Sequence, residues 1–204
     1  MSDYIVWCPG RCGSHLAAYV LQAALYPEQP IYFDTYDGKI HSSNHAIVHT
    51  HSIRYFIEGS GRKIAISRNI FDAAISMMIA NKTTVFHLYD ETDRRSFDDK
   101  FSQHVFCIDE DEFVQTCRFY DRCYTSVSNN VFNATTISYE QFKADPFKLL
   151  KLLDIDKKSW KLHNMLNSKL TTRIPIDKAT QVSNYYHLKE IFDGLDLRYK
   201  DGLI

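Results

Sequence analysis

The chain carries 204 residues, 45% apolar and 24% charged, with a formal net charge of −1. That balance matches ordinary globular proteins and excludes a long disordered polymer. Near neutrality excludes a broad basic surface for nucleic acid or anionic membrane, so any anionic ligand has to be held by locally placed groups.

In chain order, Tyr4 to Cys8 is a short apolar run stopped by Pro9 and Gly10, which predicts a buried strand ending in a turn. From Ser14 to Leu25, Leu16, Ala17, Val20, Leu21, Ala24 and Leu25 recur at helical spacing, with Ser14 as the expected N-cap. Ile31 to Phe33, Ala46 to Val48 and Lys63 to Ser67 are further strands, the last followed by a helix over Phe71 to Ile79. Asn81 to Ile108 has weak periodicity and many charges, and reads as an irregular segment. Asp109 to Ser126 is a long helix opened by acidic residues. Asn133 to Ser138 is a last strand, and Tyr139 to Leu153 a helix broken near Asp145 and Pro146. Strands alternating with helices predict an α/β fold with a mostly parallel sheet covered on both faces. No linker or repeat divides residues 1–204, so a single domain is expected.

The longest apolar stretch, Ala17 to Leu25, is far short of the ~20 residues a spanning helix needs, so no membrane span is expected. The opening Met1, Ser2, Asp3 runs directly into a strand, and no signal peptide is expected. Five cysteines (Cys8, Cys12, Cys107, Cys117, Cys123) without a CxxC pair read as reduced thiols in a cytoplasmic protein. His49 and His51 alone do not make a zinc site, and no metal is expected.

Two stretches carry chemistry. Pro9 to Ser14 joins the first strand to the first helix, where α/β proteins bind ligands. Its glycines let backbone N–H groups approach an anion, the helix N-terminus adds a favourable dipole, and Arg11 brings a forked array of donors. An ATP-binding P-loop would place Lys after the second glycine; here Ser14 and His15 follow Gly13, which argues against a nucleotide triphosphatase. The second stretch runs from Ser67 to Ser76: Arg68 at a strand exit, Asp72 near a helix start as a capping or orienting group, and Ser76 two turns along.

These stretches resemble the PAPS-dependent sulfotransferases, which use 3'-phosphoadenosine-5'-phosphosulfate. Arg11, Cys12, Gly13 and Ser14 match the family's phosphosulfate loop, [KR]-x-G-[ST]. Arg68, Asn69, Asp72 and Ser76 match its 3'-phosphate motif, R-[ND]-x-x-D-x-x-x-S, at every defined position. Thr50 and His51 match a Thr-His pair between the two, and Tyr139, Glu140, Asp145 and Pro146 match a downstream strand–helix segment. The resemblance covers roughly Tyr4 to Leu153. It departs from the family in carrying Arg11 where many small-molecule members have Lys, in the extra Gly10, and in lacking the C-terminal R-K-G segment. Arg173 and Lys178 are candidates to replace that segment.

The resemblance implies a three-layer α/β sandwich with a P-loop-like phosphosulfate-binding loop. It implies a transferase taking PAPS, leaving PAP, and needing no metal. Arg11 would stabilise the leaving phosphate and His51 act as general base, with His49 and then His15 as competitors. Arg11, Cys12, Gly13, Ser14 and His15 would line the 5' side, and Arg68, Ser76 and Tyr139 the 3' side. The acceptor, a small molecule, carbohydrate or peptide, is not legible. The alternatives are a P-loop kinase and a non-catalytic PAP-binding module. Trp7 and the run Met77 to Ile79 read as core, and Asp90 to Arg95 as a solvated charge run.

Overall fold

The computed structural model describes residues 2–33, 45–86, 91–156 and 177–203. Five parallel strands form one sheet: β1 (Tyr4–Trp7), β2 (Tyr32–Phe33), β3 (Ile47–Thr50), β4 (Arg62–Ser67) and β5 (Thr135–Ser138), in the order β2-β3-β1-β4-β5. The centre is β1, whose Ile5, Val6 and Trp7 are all buried, as the uninterrupted apolar run of a doubly covered parallel strand requires. Trp7 stacks on Phe56 with ring centroids 5.4 Å apart and meets Tyr124 edge-on, so the core reading of Trp7 holds.

Successive crossovers run in opposite directions, one starting from β1 and the next passing over it. The chain passes through α1 (Ser14–Leu25) to β2, then from β3 through α2 (Ile53–Glu58) over β1 to β4. Right-handed crossovers, the rule for parallel connections, therefore set α1 and α2 on opposite faces and make the carboxyl end of β1 the switch point of the sheet. On the α2 side lie α3 (Ile70–Thr83) and the long α5 (Glu110–Asn130). The buried stripe of α5 (Phe113, Cys117, Tyr120, Tyr124, Val127) repeats at helical spacing, and its first residues are capped by Asp109, which accepts from the Glu112 N–H at 2.8 Å. Two short helices, α6 (Tyr139–Ala144) and α7 (Lys148–Leu152), are separated by the break at Asp145 and Pro146 that the sequence predicts.

Two expectations are corrected and a third is narrowed. The segment taken as irregular holds α4 (Glu91–Phe101), whose Phe97 is buried with its ring 4.8 Å from that of Phe101. Two phenylalanines one turn apart are the whole of its apolar face, too narrow a stripe for a periodicity argument. The N-cap of α1 is Gly13, at φ 80°, and Ser14 lies inside the helix with its hydroxyl turned into the core. Of the two roles open to Asp72, the cap of α3 goes to Asn69, whose side chain accepts from the Asp72 N–H at 3.3 Å, and Asp72 instead receives the Lys178 ammonium. In the run Asp90 to Arg95, Thr92 and Arg95 are exposed and Asp93 is half-buried, whereas Asp90 and Arg173 lie outside the described residues.

The C-terminal segment, with α8 (Lys178–Gln181) and α9 (Tyr185–Gly194), returns to the carboxyl edge of the sheet. Ile70 N–H donates to the Lys200 carbonyl at 2.8 Å, and the Ser67 hydroxyl donates to that of Leu203 at 2.9 Å.

Candidate functional site

The loop after β1 is held in an unusual backbone shape. Gly10, Arg11 and Gly13 take φ of 114°, 53° and 80°. A side chain on Gly13 would bring its Cβ within 2.6 Å of the Tyr139 ring, and one on Gly10 within 2.7 Å of the Met77 methyl. Glycine is thus required at Gly13 by conformation and by space, and at Gly10, where the Met77 methyl is the movable end of a flexible side chain, by conformation. Successive backbone N–H groups in such alternating conformations, leading into a helix N-terminus, form a concavity suited to an anion. The Tyr120 hydroxyl secures the loop by donating to the Gly10 carbonyl at 3.0 Å.

Against this loop stands Arg68, at the exit of β4. Its Nη1 donates to the Arg11 carbonyl at 3.0 Å and to the Ser76 hydroxyl at 3.3 Å, so the two sequence motifs meet through one guanidinium. The Arg68 guanidinium lies 4.5 Å from the Tyr139 ring centroid, and its Nε sits 3.7 Å from a Glu140 carboxylate oxygen. Its backbone N–H donates to the Tyr124 hydroxyl at 3.0 Å. Arg11 extends its Nη1 to the Phe86 carbonyl. The Nε atoms of both arginines are buried without a hydrogen-bond partner. Two half-buried guanidinium groups whose buried Nε–H donors lack a hydrogen bond, with Glu140 as a distant counter-charge to one of them, suit an anion between or beside them.

Lys178 joins this cluster from α8. Its ammonium donates to the Asp72 carbonyl at 2.7 Å and to the Asp72 carboxylate at 2.9 Å. Burial, then the neighbouring Arg68, push its pKa down to about 8 despite Asp72. Burial likewise lowers that of Arg11, with Arg68 working in the same direction. Positive charge is therefore in excess here. Lys178 is the weakest of the sequence candidates that the structure brings to the cluster, because no motif marks it and only the return of the C-terminal segment delivers it.

Behind the loop lies a second group. Ser14 Oγ is 2.6 Å from His49 Nε2 and 2.9 Å from Cys8 Sγ, all buried. His51 Nδ1 lies 2.8 Å from the Cys8 carbonyl oxygen. A carbonyl only accepts, so Nδ1 carries the proton and the lone pair sits on Nε2. His51 is partly exposed, whereas His49 is 1% exposed. His15, on the first turn of α1, stacks on Phe33 at 4.8 Å and packs against the His49 ring at 4.3 Å. Burial opposes ionisation of the Cys8 thiol, but hydrogen bonds from Cys12, His49 and His51 carry its pKa well below the ordinary value. Cys12 is pushed the other way, by burial and by Cys8, and its thiol donates to the Gly10 carbonyl at 3.0 Å. The side chains of Cys12 and Ser14 thus face the interior, and toward the loop's concavity they offer backbone groups. The gathering of His15 with His49 and His51 carries no sequence signal, since it needs α1 to start beside the end of β3.

No family model matches the chain, and no curated protein matches it in sequence. Among solved structures, mouse sulfotransferase SULT7A1 complexed with PAP superposes on 82% of this chain and 64% of its own length, at a TM-score of 0.50 and 16% identity. A sulfotransferase from Alicyclobacillus acidocaldarius covers 81% of this chain and 90% of its own, at a TM-score of 0.43 and 10% identity. The first likeness shows that the chain has the sulfotransferase fold. It spans just under two thirds of the SULT7A1 chain.

Proposed function

We propose that this chain is a sulfotransferase that moves the sulfuryl group of PAPS to a hydroxyl or amine of an acceptor. The observation that carries the reading is the meeting of Arg68 with both the Arg11 carbonyl and Ser76, which joins the two phosphate motifs across one cleft with unspent guanidinium donors. Arg68, Ser76 and Lys178 hold the 3'-phosphate, and Tyr139 backs the Arg68 guanidinium. The N–H groups from Cys12 to His15 receive the 5' side. Gly13 keeps that backbone open.

In the transfer, the bond between sulfur and the bridging oxygen breaks while a bond from the acceptor oxygen or nitrogen to sulfur forms. His51 Nε2 takes the acceptor's proton, and Arg11 stabilises the negative charge that develops on the bridging oxygen. The tautomer set by the Cys8 carbonyl supports His51 over His49, whose Nε2 meets Ser14 in the interior. Absence of Lys after Gly13 disfavours the P-loop kinase. The acceptor is a small molecule, a carbohydrate or a peptide. Among the described residues no helix is long and apolar enough to cross a membrane; the proposed place of action is the cytoplasm, a reading supported by five cysteines that are free thiols.

A transfer assay with labelled PAPS and a panel of phenols, sugars and tyrosine peptides tests the reading. His51→Ala should slow turnover on the order of 10²–10⁴-fold while leaving PAP affinity nearly unchanged. His49→Ala is the control, and Arg11→Ala should lose both rate and affinity. Wild-type turnover in His51→Ala refutes the base assignment. PAP binding without transfer to any acceptor class favours the non-catalytic module.

A further inference from the structure

The three histidines behind the loop form an arrangement that the transfer reaction does not require. One ring nitrogen from each of His15, His49 and His51 lies within 4.8 Å of those of the other two. The ring centroids are 4.3 Å apart for His15 and His49, and 4.7 Å for His49 and His51. A metal held by imidazoles at ~2.05 Å in tetrahedral geometry needs nitrogens about 3.3 Å apart, so closing the site draws the three rings together by up to about 1.5 Å. Two of the rings already have the outer partners that orient metal-bound histidines. His51 donates its Nδ1 proton to the Cys8 carbonyl, which puts the lone pair on Nε2, and His49 is steadied by the Ser14 hydroxyl. Stacking on Phe33 fixes the third, His15. Among the described residues the donor set is three imidazole nitrogens and no carboxylate, which favours zinc, copper or nickel over calcium and magnesium.

We propose that His15, His49 and His51 bind one first-row divalent transition-metal ion, zinc foremost, and that its occupancy silences transfer. The second part rests on the reading of His51 as the base, since a metal on Nε2 takes the lone pair that would receive the acceptor's proton. Three protein ligands leave the fourth tetrahedral position to water or to the acceptor's own oxygen. The device would make the enzyme active only where such metal is scarce or chelated.

The test uses the full chain with Cys107, the exposed thiol, changed to serine. Titration with cobalt(II), zinc's spectroscopic stand-in, should give one ion per chain and the intense visible bands of a tetrahedral nitrogen site. Zinc should displace it, and His15→Ala or His51→Gln should each weaken binding about tenfold or more. Weak octahedral bands, a thiolate-to-metal charge-transfer band, or affinities unchanged in both variants would overturn the site. The wild-type spectrum decides even if a variant fails to fold. Zinc added to the assay should stop transfer and a chelator restore it; transfer that persists with the site filled overturns the silencing. A chain that binds the metal but transfers nothing under chelation keeps the site and refutes the proposed activity instead.

Discussion

Lys178 offers a test in which one substitution moves two quantities in opposite directions. A lysine ordinarily titrates near 10.5, and burial together with Arg68 brings Lys178 down to about 8. At ~1.4 kcal/mol per tenfold, that depression costs the charged form on the order of 3 kcal/mol in the free chain. The side chain keeps 18% exposure, so water reduces the cost to about 1–2 kcal/mol. Lys178→Met removes the charge and keeps the length. The Asp72 carboxylate it abandons is 43% exposed and loses little. The variant should therefore be more stable without ligand, by about 2–6 °C in Tm for a chain of this size. The sign of the pH dependence follows. The cost of charging is fully present below about 8 and fades as pH rises toward 10.5, so the gap between wild type and variant should narrow over that window. Adenosine 3',5'-bisphosphate reverses the balance, because its 3'-phosphate uses the charge. Lys178→Met should weaken it by roughly 10–150-fold, the scale of a charge-assisted hydrogen bond. Wild-type binding should also take up protons near pH ~8.5, read by calorimetry in buffers of different ionisation enthalpy, and the variant should not. A variant that is destabilised without ligand, or that binds the bisphosphate as tightly as wild type, refutes the argument that positive charge is in excess here.

Other outcomes are expected along the same cleft. The bisphosphate should raise Tm well above the shift from AMP, which lacks the 3'-phosphate; equal shifts would remove Arg68 and Ser76 from the site. Arg68→Ala should lose about 1.5–3 kcal/mol of bisphosphate affinity by calorimetry, and an unchanged Kd would mean that Arg68 does not hold that phosphate. Gly13→Ala should cost on the order of 1–3 kcal/mol in denaturant unfolding, because φ is 80° and the new methyl meets the Tyr139 ring. Adding Tyr139→Ala should recover part of that loss, and no recovery would mean that the backbone alone is responsible.

Much of this architecture is legible residue by residue. The apolar run Ile5 to Trp7 is interpretable as a doubly covered strand because both faces of β1 are buried. Arg68 and Ser76 are eight positions apart, two helical turns, so their contact follows from local geometry. The illegible features are those that depend on where distant segments return. Lys178 reaches Asp72 across 106 residues, and His15 meets His49 only because a helix start abuts a neighbouring strand's end. The N-cap of α1 departs from its residue-type expectation for a different reason. Ser14 is the better cap by residue type, but the left-handed turn at Gly13 moves the boundary back by one and frees the hydroxyl for His49.

The docking of the C-terminal segment also bears on how the molecule comes to exist. Ser67, at the mouth of the cleft, is bound to the Leu203 carbonyl 136 residues later, and Asn69 to Asp201 across 132. Closing such loops is entropically expensive before any contact rewards it, and parallel sheets already fold slowly for that reason. All five strands are complete by Ser138, more than sixty residues before the chain reaches Asp201 and Leu203, so the sheet can form before these two closures can. The carboxyl edge therefore matures after the sheet, and a chain grown only as far as β5 carries its strands with that edge still open.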